Sequence, residues 1–148
     1  MFAGGGGIVT LDRKTAVRTL NEIAKLVEVR GGNIHRVRAF ANASRVVDRA
    51  EGDLDAMIAS GEILNLKGIG RGTAAVLEEL ADGRQPQALQ DLYDEIPDGV
   101  REMLAIPGLG PKKVRSLWQD LDLHSIGELE YACRENRLVD LKGFGSKT

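Results

Sequence analysis

The chain has 148 residues, 43% apolar, 28% charged and only 4% aromatic, with 18 glycines, four prolines and one cysteine. That length holds one ordinary domain or two small ones, and the apolar fraction argues against wholesale disorder. A formal net charge of −2 excludes a uniformly basic nucleic-acid binder, and no apolar run approaches the roughly 20 residues of a membrane span.

Met1–Gly7 has neither a charged start nor an apolar run, so it does not read as a signal peptide. The Gly4–Gly7 stretch reads as part of a flexible leader over residues 1–10, or as a mis-assigned start. The first helix is marked by Val17, Leu20, Ala24 and Val27, with Thr10 or Asp12 as its cap. After the Gly31-Gly32 break, Asn33 caps a second helix whose inner face is Val37, Phe40, Ala41, Ser44 and Val47. Further helices are expected at Leu54–Ala59, Gly72–Ala81, Pro86–Tyr93, Pro111–Leu121 and Ile126–Glu135. Pro86 and Pro111 suit first-turn positions, where a missing N–H costs nothing. No segment alternates in the manner of a strand, so the expected fold is all-α, with Trp118 in the core. The lone Cys133 has no partner for an internal disulfide and no neighbouring cysteine for a metal site, which fits a cytoplasmic protein.

The charge is segregated. Between Arg30 and Arg49 lie five arginines (Arg30, Arg36, Arg38, Arg45, Arg49) and His35, against one acid, Asp48. Gly110–Trp118 holds Lys112, Lys113 and Arg115 and no acid. A chain can therefore present phosphate-binding surface while staying acidic overall; the alternative is ordinary solvated charge.

A short pattern repeats. Leu66-Lys67-Gly68-Ile69-Gly70 is answered by Ile106-Pro107-Gly108-Leu109-Gly110 and again by Leu141-Lys142-Gly143-Phe144-Gly145. Each reads as a tight turn between helices. Glycine permits positive φ and close backbone approach, the central apolar residue plugs the gap, and the following helix offers its first N–H groups to an anion.

These turns resemble helix-hairpin-helix motifs, which grip DNA backbone phosphates without reading sequence. The larger pattern, over about Leu11–Thr148, resembles the N-terminal region of family X DNA polymerases in their bacterial form. The resemblance implies two small helical subdomains: a lyase-type domain over 11–84 and a second hairpin subdomain over 85–148, which includes the start of a third hairpin. Asn33–Phe40 resembles the stretch that meets the downstream 5′-phosphate of gapped DNA, with His35 and Arg36 matching a phosphate-contacting pair and Phe40 replacing a tyrosine. His35 is open to two roles, stacking on a base or capping the helix. The implied phosphate-binding set is His35, Arg36, Arg38, Gly68, Gly70, Arg71, Gly108, Gly110, Lys112 and Lys113. The resemblance also implies a Na+ or K+ ion at the hairpins, held by the backbone carbonyls of Leu64, Leu66 and Ile69, and of Leu104, Ile106 and Leu109.

Polymerase chemistry needs acids holding two divalent metals about 3.5–4 Å apart on a palm domain. The triplets Asp53-Leu54-Asp55 and Asp120-Leu121-Asp122 read instead as a helix start and a helix end. Mg2+ is expected only if a longer parent carries a palm, and the chain reads as a fragment of such a parent or as a stand-alone protein with a frayed tail. Lyase-competent relatives form a Schiff base on a lysine of the helix after the first hairpin. Val76 takes that position, Gly72 replaces a second basic residue, and Lys67 is the nearest lysine. The expectation is a monomeric, nucleoid-associated binder of gapped or nicked DNA, without catalysis of its own. A deoxyribose-phosphate lyase and a helical protein-interaction scaffold are the alternatives.

Overall fold

The apolar spacing of the first segment produces an 18-residue helix, α1 (Arg13–Arg30). In the computed structural model, which describes residues 11–135, it is followed by α2 (Ile34–Arg49), α3 (Leu54–Ser60), a 3-10 turn (Glu62–Asn65) and α4 (Arg71–Ala81). Then come α5 (Gln87–Glu95), α6 (Asp98–Met103), α7 (Pro111–Gln119) and α8 (Ile126–Arg134), with no strand among the described residues. The leader, Thr10 included, and the third turn, Leu141–Gly145, lie outside the described residues.

Helix ends follow the local chemistry. Gly31 closes α1 in the left-handed conformation (φ +85°), and the Gly32 amide donates to Val27 O at 2.9 Å. A Cβ on Gly31 would also meet the Arg115 guanidinium, the end of a flexible side chain that can swing aside, so it is the backbone conformation that calls for glycine there. Asn33 caps α2, its Oδ1 accepting from the His35 amide at 2.7 Å. Asp12 occupies the cap position of α1, but its side chain accepts no cap bond from the backbone. Pro86 stands at the N-cap of α5 and Pro111 at the first turn of α7.

The 3-10 turn and α6 have no counterpart among the expected helices. Both are too short for a period to show, and Gly99 lies inside α6. Its reason is contact at close range: a Cβ at Gly99 would collide with the His124 carbonyl on the loop before α8.

The buried side chains form one cluster. From α1 come Leu20, Ile23, Leu26, Val27 and Val29, each no more than 1% exposed. Burying one such side chain is worth about 1.5–3 kcal/mol. Helix α1 packs against α2, α4, α5 and α7. Phe40 is core, at 5% exposed, while Trp118 is half-buried at the cluster's edge.

Polar ties hold both ends of this arrangement. Arg13 donates to the carbonyls of Val47, Ala50 and Gly52, satisfying the end of α2 and the loop behind it. The Leu11 amide donates to both oxygens of Asp55. At the other end Tyr93 on α5 donates its hydroxyl to Glu22 on α1 at 2.5 Å, with Arg101 stacked 4.1 Å from its ring centre. Arg30 pairs with Glu95 at 3.0 Å.

Burial, and then the hydrogen bond to Glu22, push the Tyr93 hydroxyl from 10.0 up to about 12. A raised pKa means the folded state holds its proton more tightly, so this stabilisation is complete below pH 10 and is lost as pH rises toward 12. Tyr93→Phe is expected to lose about 1 kcal/mol at neutral pH and to flatten the stability decline over that alkaline window, read by urea denaturation across pH.

Candidate nucleic-acid interface

The two described glycine turns share one backbone. Gly68 and Gly108 have φ of +101° and +88°. The Ile69 amide donates to Leu66 O at 3.1 Å, and the Leu109 amide to Ile106 O at 3.0 Å. Gly70 and Gly110 are then extended, with φ −100° and −87°, as the N-caps of α4 and α7. Ile69 is buried and Leu109 half-buried, plugging the turn onto the core.

The glycines do different work. Gly68 needs its positive φ, and a Cβ there would lie 2.8 Å from Val46 Cγ2 and 3.0 Å from Asn42 Nδ2 on α2. Gly108 needs only the φ, since nothing lies within 4 Å of its Cβ position. Gly70 and Gly110 need neither, because any residue adopts their backbone and a Cβ would meet nothing within 4 Å. What glycine supplies there is bare backbone at the mouth of a helix, where an approaching group can come close.

Those two helix starts differ electrically from those of α2, α3, α5, α6 and α8. Helices α2, α3 and α8 are capped by Asn33, Asp53 and Ser125, and α3, α6 and α8 carry an acid in the first turn. The start of α5 is served by Glu79, which accepts from the Gln87 amide at 3.0 Å. Neither α4 nor α7 has a first-turn acid or an N-cap side chain among the described residues. Their positive ends therefore face outward without a carboxylate. In α4 the Gly70 amide is occupied by Thr73 Oγ1 at 3.0 Å, so the amides offered are those of Arg71 and Gly72. Arg71, Gly72 and Lys112 are exposed and Lys113 is half-buried.

On α2, His35, Arg38, Asn42 and Arg45 recur at three and four residues and share one helix face. Arg38, Asn42 and Arg45 line a groove of about 590 Å³, and Asn42 brings that face against the Gly68 turn. Arg36 stands apart. Its guanidinium lies 5.7 Å from the Phe40 ring centre, a cation–π placement. Asn33, not His35, supplies the cap side chain, and His35 is exposed. Asn42 and Arg45 were not marked as site residues by the sequence; the helical spacing from Arg38 was the available signal.

The helix that the second turn opens, α7, packs against the α1–α2 turn. Gln119 donates to Arg30 O at 3.3 Å and Arg115 lies against Gly31, docking the α1–α2 turn on α7. A cleft of about 540 Å³ separates Ile34 and Val37 from Lys112 and Arg115. The carbonyls expected at a monovalent ion include Leu66 O and Ile106 O, which each accept one turn hydrogen bond and retain a second lone pair. Neutral carbonyl oxygens suit a hard cation.

The residues weighed for catalysis sit elsewhere. Val76 is 1% exposed in the core, whereas Lys67 is exposed. Asp53 caps α3, Asp55 binds the Leu11 amide, Asp120 ends α7 and Asp122 pairs with His124 at 2.6 Å. Among the described residues no three His, Cys, Asp or Glu side chains gather as a metal site. No helix there is long and apolar enough to cross a membrane.

Tandem tight turns, each opening an anion-receptive helix, define an all-α protein of paired helical hairpins. The chain belongs to the helix-hairpin-helix family: residues 12–86 match the helix-hairpin-helix domain, and residues 100–148 match the SAM-like helix-hairpin-helix tandem. It is 33% identical over 138 residues to the DNA polymerase/3′-5′ exonuclease PolX of Bacillus subtilis, an alignment covering 93% of this chain. The chain spans about a quarter of that relative's length, 24%.

Gly68→Ala is expected to cost about 2 kcal/mol or more, from backbone strain plus displacement of Val46, and Gly108→Ala about 1 kcal/mol, from strain alone. Gly70→Ala and Gly110→Ala should stay within about 0.5 kcal/mol of the native chain in urea titrations.

Proposed function

We propose that this chain is the DNA-binding region of a family X DNA polymerase, gripping gapped or nicked DNA through backbone phosphates. The observation that carries this reading is the pair of matching turns whose second glycines are required by neither conformation nor packing. The similarity to a DNA polymerase across nearly the whole chain supports it. Amides of Arg71 and Gly72, and the start of α7 with Lys112 and Lys113, hold phosphates of the strand backbone. On α2, His35, Arg38, Asn42 and Arg45 hold the downstream strand along one face, while Arg36, steadied by Phe40 on an adjoining face, receives the 5′-phosphate.

A Na+ or K+ ion on the carbonyls of Leu64, Leu66 and Ile69, and another on those of Leu104, Ile106 and Leu109, would supply positive charge between turn and phosphate. Polymerisation, with its Mg2+, is assigned to a palm in a longer parent. The chain acts as a monomer on nucleoid DNA. Lyase chemistry is not assigned to it, because the Schiff-base position carries Val76, an apolar side chain packed in the core.

The test is binding to a gapped duplex with and without the downstream 5′-phosphate, across salt. The phosphorylated gap should bind more tightly, and Arg36→Ala should erase that preference. Gly70→Ala and Gly110→Ala should weaken both duplexes while leaving stability intact. Equal affinity for the two gaps would remove the 5′-phosphate role, and no binding at low salt would end the reading. Borohydride treatment on an incised abasic duplex should trap no covalent adduct.

A further inference from the structure

The longest helix carries charge that neither hairpin uses. Lys14, Arg18, Asn21 and Lys25 recur at four, three and four residues, so they form one exposed stripe along α1. With Val17 and Leu26 they line a cleft of about 610 Å³ that ends at Leu104 and Ala105, the entry to the second glycine turn. None of the three cations forms an ion pair among the described residues.

Two acids border the cleft. The Glu22 carboxylate is held by the Tyr93 hydroxyl at 2.5 Å, which fixes one acid at the α5 contact, and Asp48 stands at the far wall on α2. Arg101, also on the wall, is answered by Asp98. The stripe itself is thus three cations and an amide on a chain whose net charge is −2. Ordinary packing does not account for it, since all four side chains are exposed.

From Lys14 to Lys25 the helix rises about 16 Å. That is about five base-pair steps along a duplex at 3.4 Å each. Along the axis Lys14 and Arg18 are about 6 Å apart and Arg18 and Lys25 about 10.5 Å, a spread that suits phosphates along one strand rather than a single anion. Such a row of cations is charge-complementary to a polyanion.

We propose that the α1 stripe Lys14–Arg18–Asn21–Lys25 is a separate phosphate track, which extends the grip of the second hairpin along the duplex away from the gap. It rests on the DNA-binding reading above. Lys and Arg there position the backbone and carry no sequence preference.

The test compares Lys14→Gln/Arg18→Gln/Lys25→Gln with the native full chain on a short gapped duplex, about 10 base pairs, and a long one, about 30 base pairs, across salt. The native chain should bind the long duplex with the steeper salt dependence. In the triple variant the log–log slope on the long duplex should fall by about 2–3, close to 0.9 per lost contact, with the short duplex little changed. Lys112→Gln should instead lower the slope on both. An unchanged slope in the triple variant, with native binding intact, overturns the track alone and leaves an acidic protein surface as the stripe's partner. No binding by the native chain overturns both readings. Thermal unfolding checks that the exposed substitutions leave the fold in place.

Discussion

Burial of α1 is the constraint on which the remaining elements depend. A lone amphipathic helix covers one stripe, yet α1 buries Leu20, Ile23, Leu26, Val27 and Val29 and therefore needs neighbours on more than one side. Those neighbours are α2 and α4 on the side of the first hairpin, and α5 and α7 on the side of the second. Neither set could be removed without exposing part of the same helix. The Glu22–Tyr93 and Arg30–Glu95 bonds then fix α5 against it, and Arg13 ties its start to the end of α2.

Within that frame the glycines divide into those the fold requires and those it does not. Gly31, Gly68 and Gly108 supply left-handed turns, and Gly99 lets two segments touch. Gly70 and Gly110 have an ordinary backbone and open space in front of them. The contrast separates a structural use of glycine from a ligand-facing one. The absence of first-turn acids and cap side chains at α4 and α7, when the starts of α2, α3, α5, α6 and α8 are served by Asp, Asn, Ser or Glu, points in the same direction.

Net charge is a poor guide for such a protein because phosphate is met locally. The cations of α2, of α7 and of the α1 stripe line different grooves, and acids serve other duties. Asp53 is a cap, Asp55 anchors Leu11, Glu22 binds Tyr93 and Glu95 pairs with Arg30. Spending carboxylates on internal contacts leaves the cationic faces less opposed than a composition count suggests.

Helices α1–α5, α7 and α8, the cap at Asn33 and the two described glycine turns were legible in the sequence, because each is set by local periodicity or by one residue's chemistry. The 3-10 turn and α6 were not, being shorter than a period needs to show itself. Nor was the sorting of α2, where His35 and Arg36 are neighbours in sequence but part by about 100° around the helix. Only the packed structure joined Asn42 to the Gly68 turn, laid Arg115 against Gly31 and turned Glu22 toward Tyr93. Local pattern decides which segments coil and where they stop. Which side chains then meet depends on how helices far apart in the chain are brought together by the burial of α1, and a linear sequence records that only indirectly.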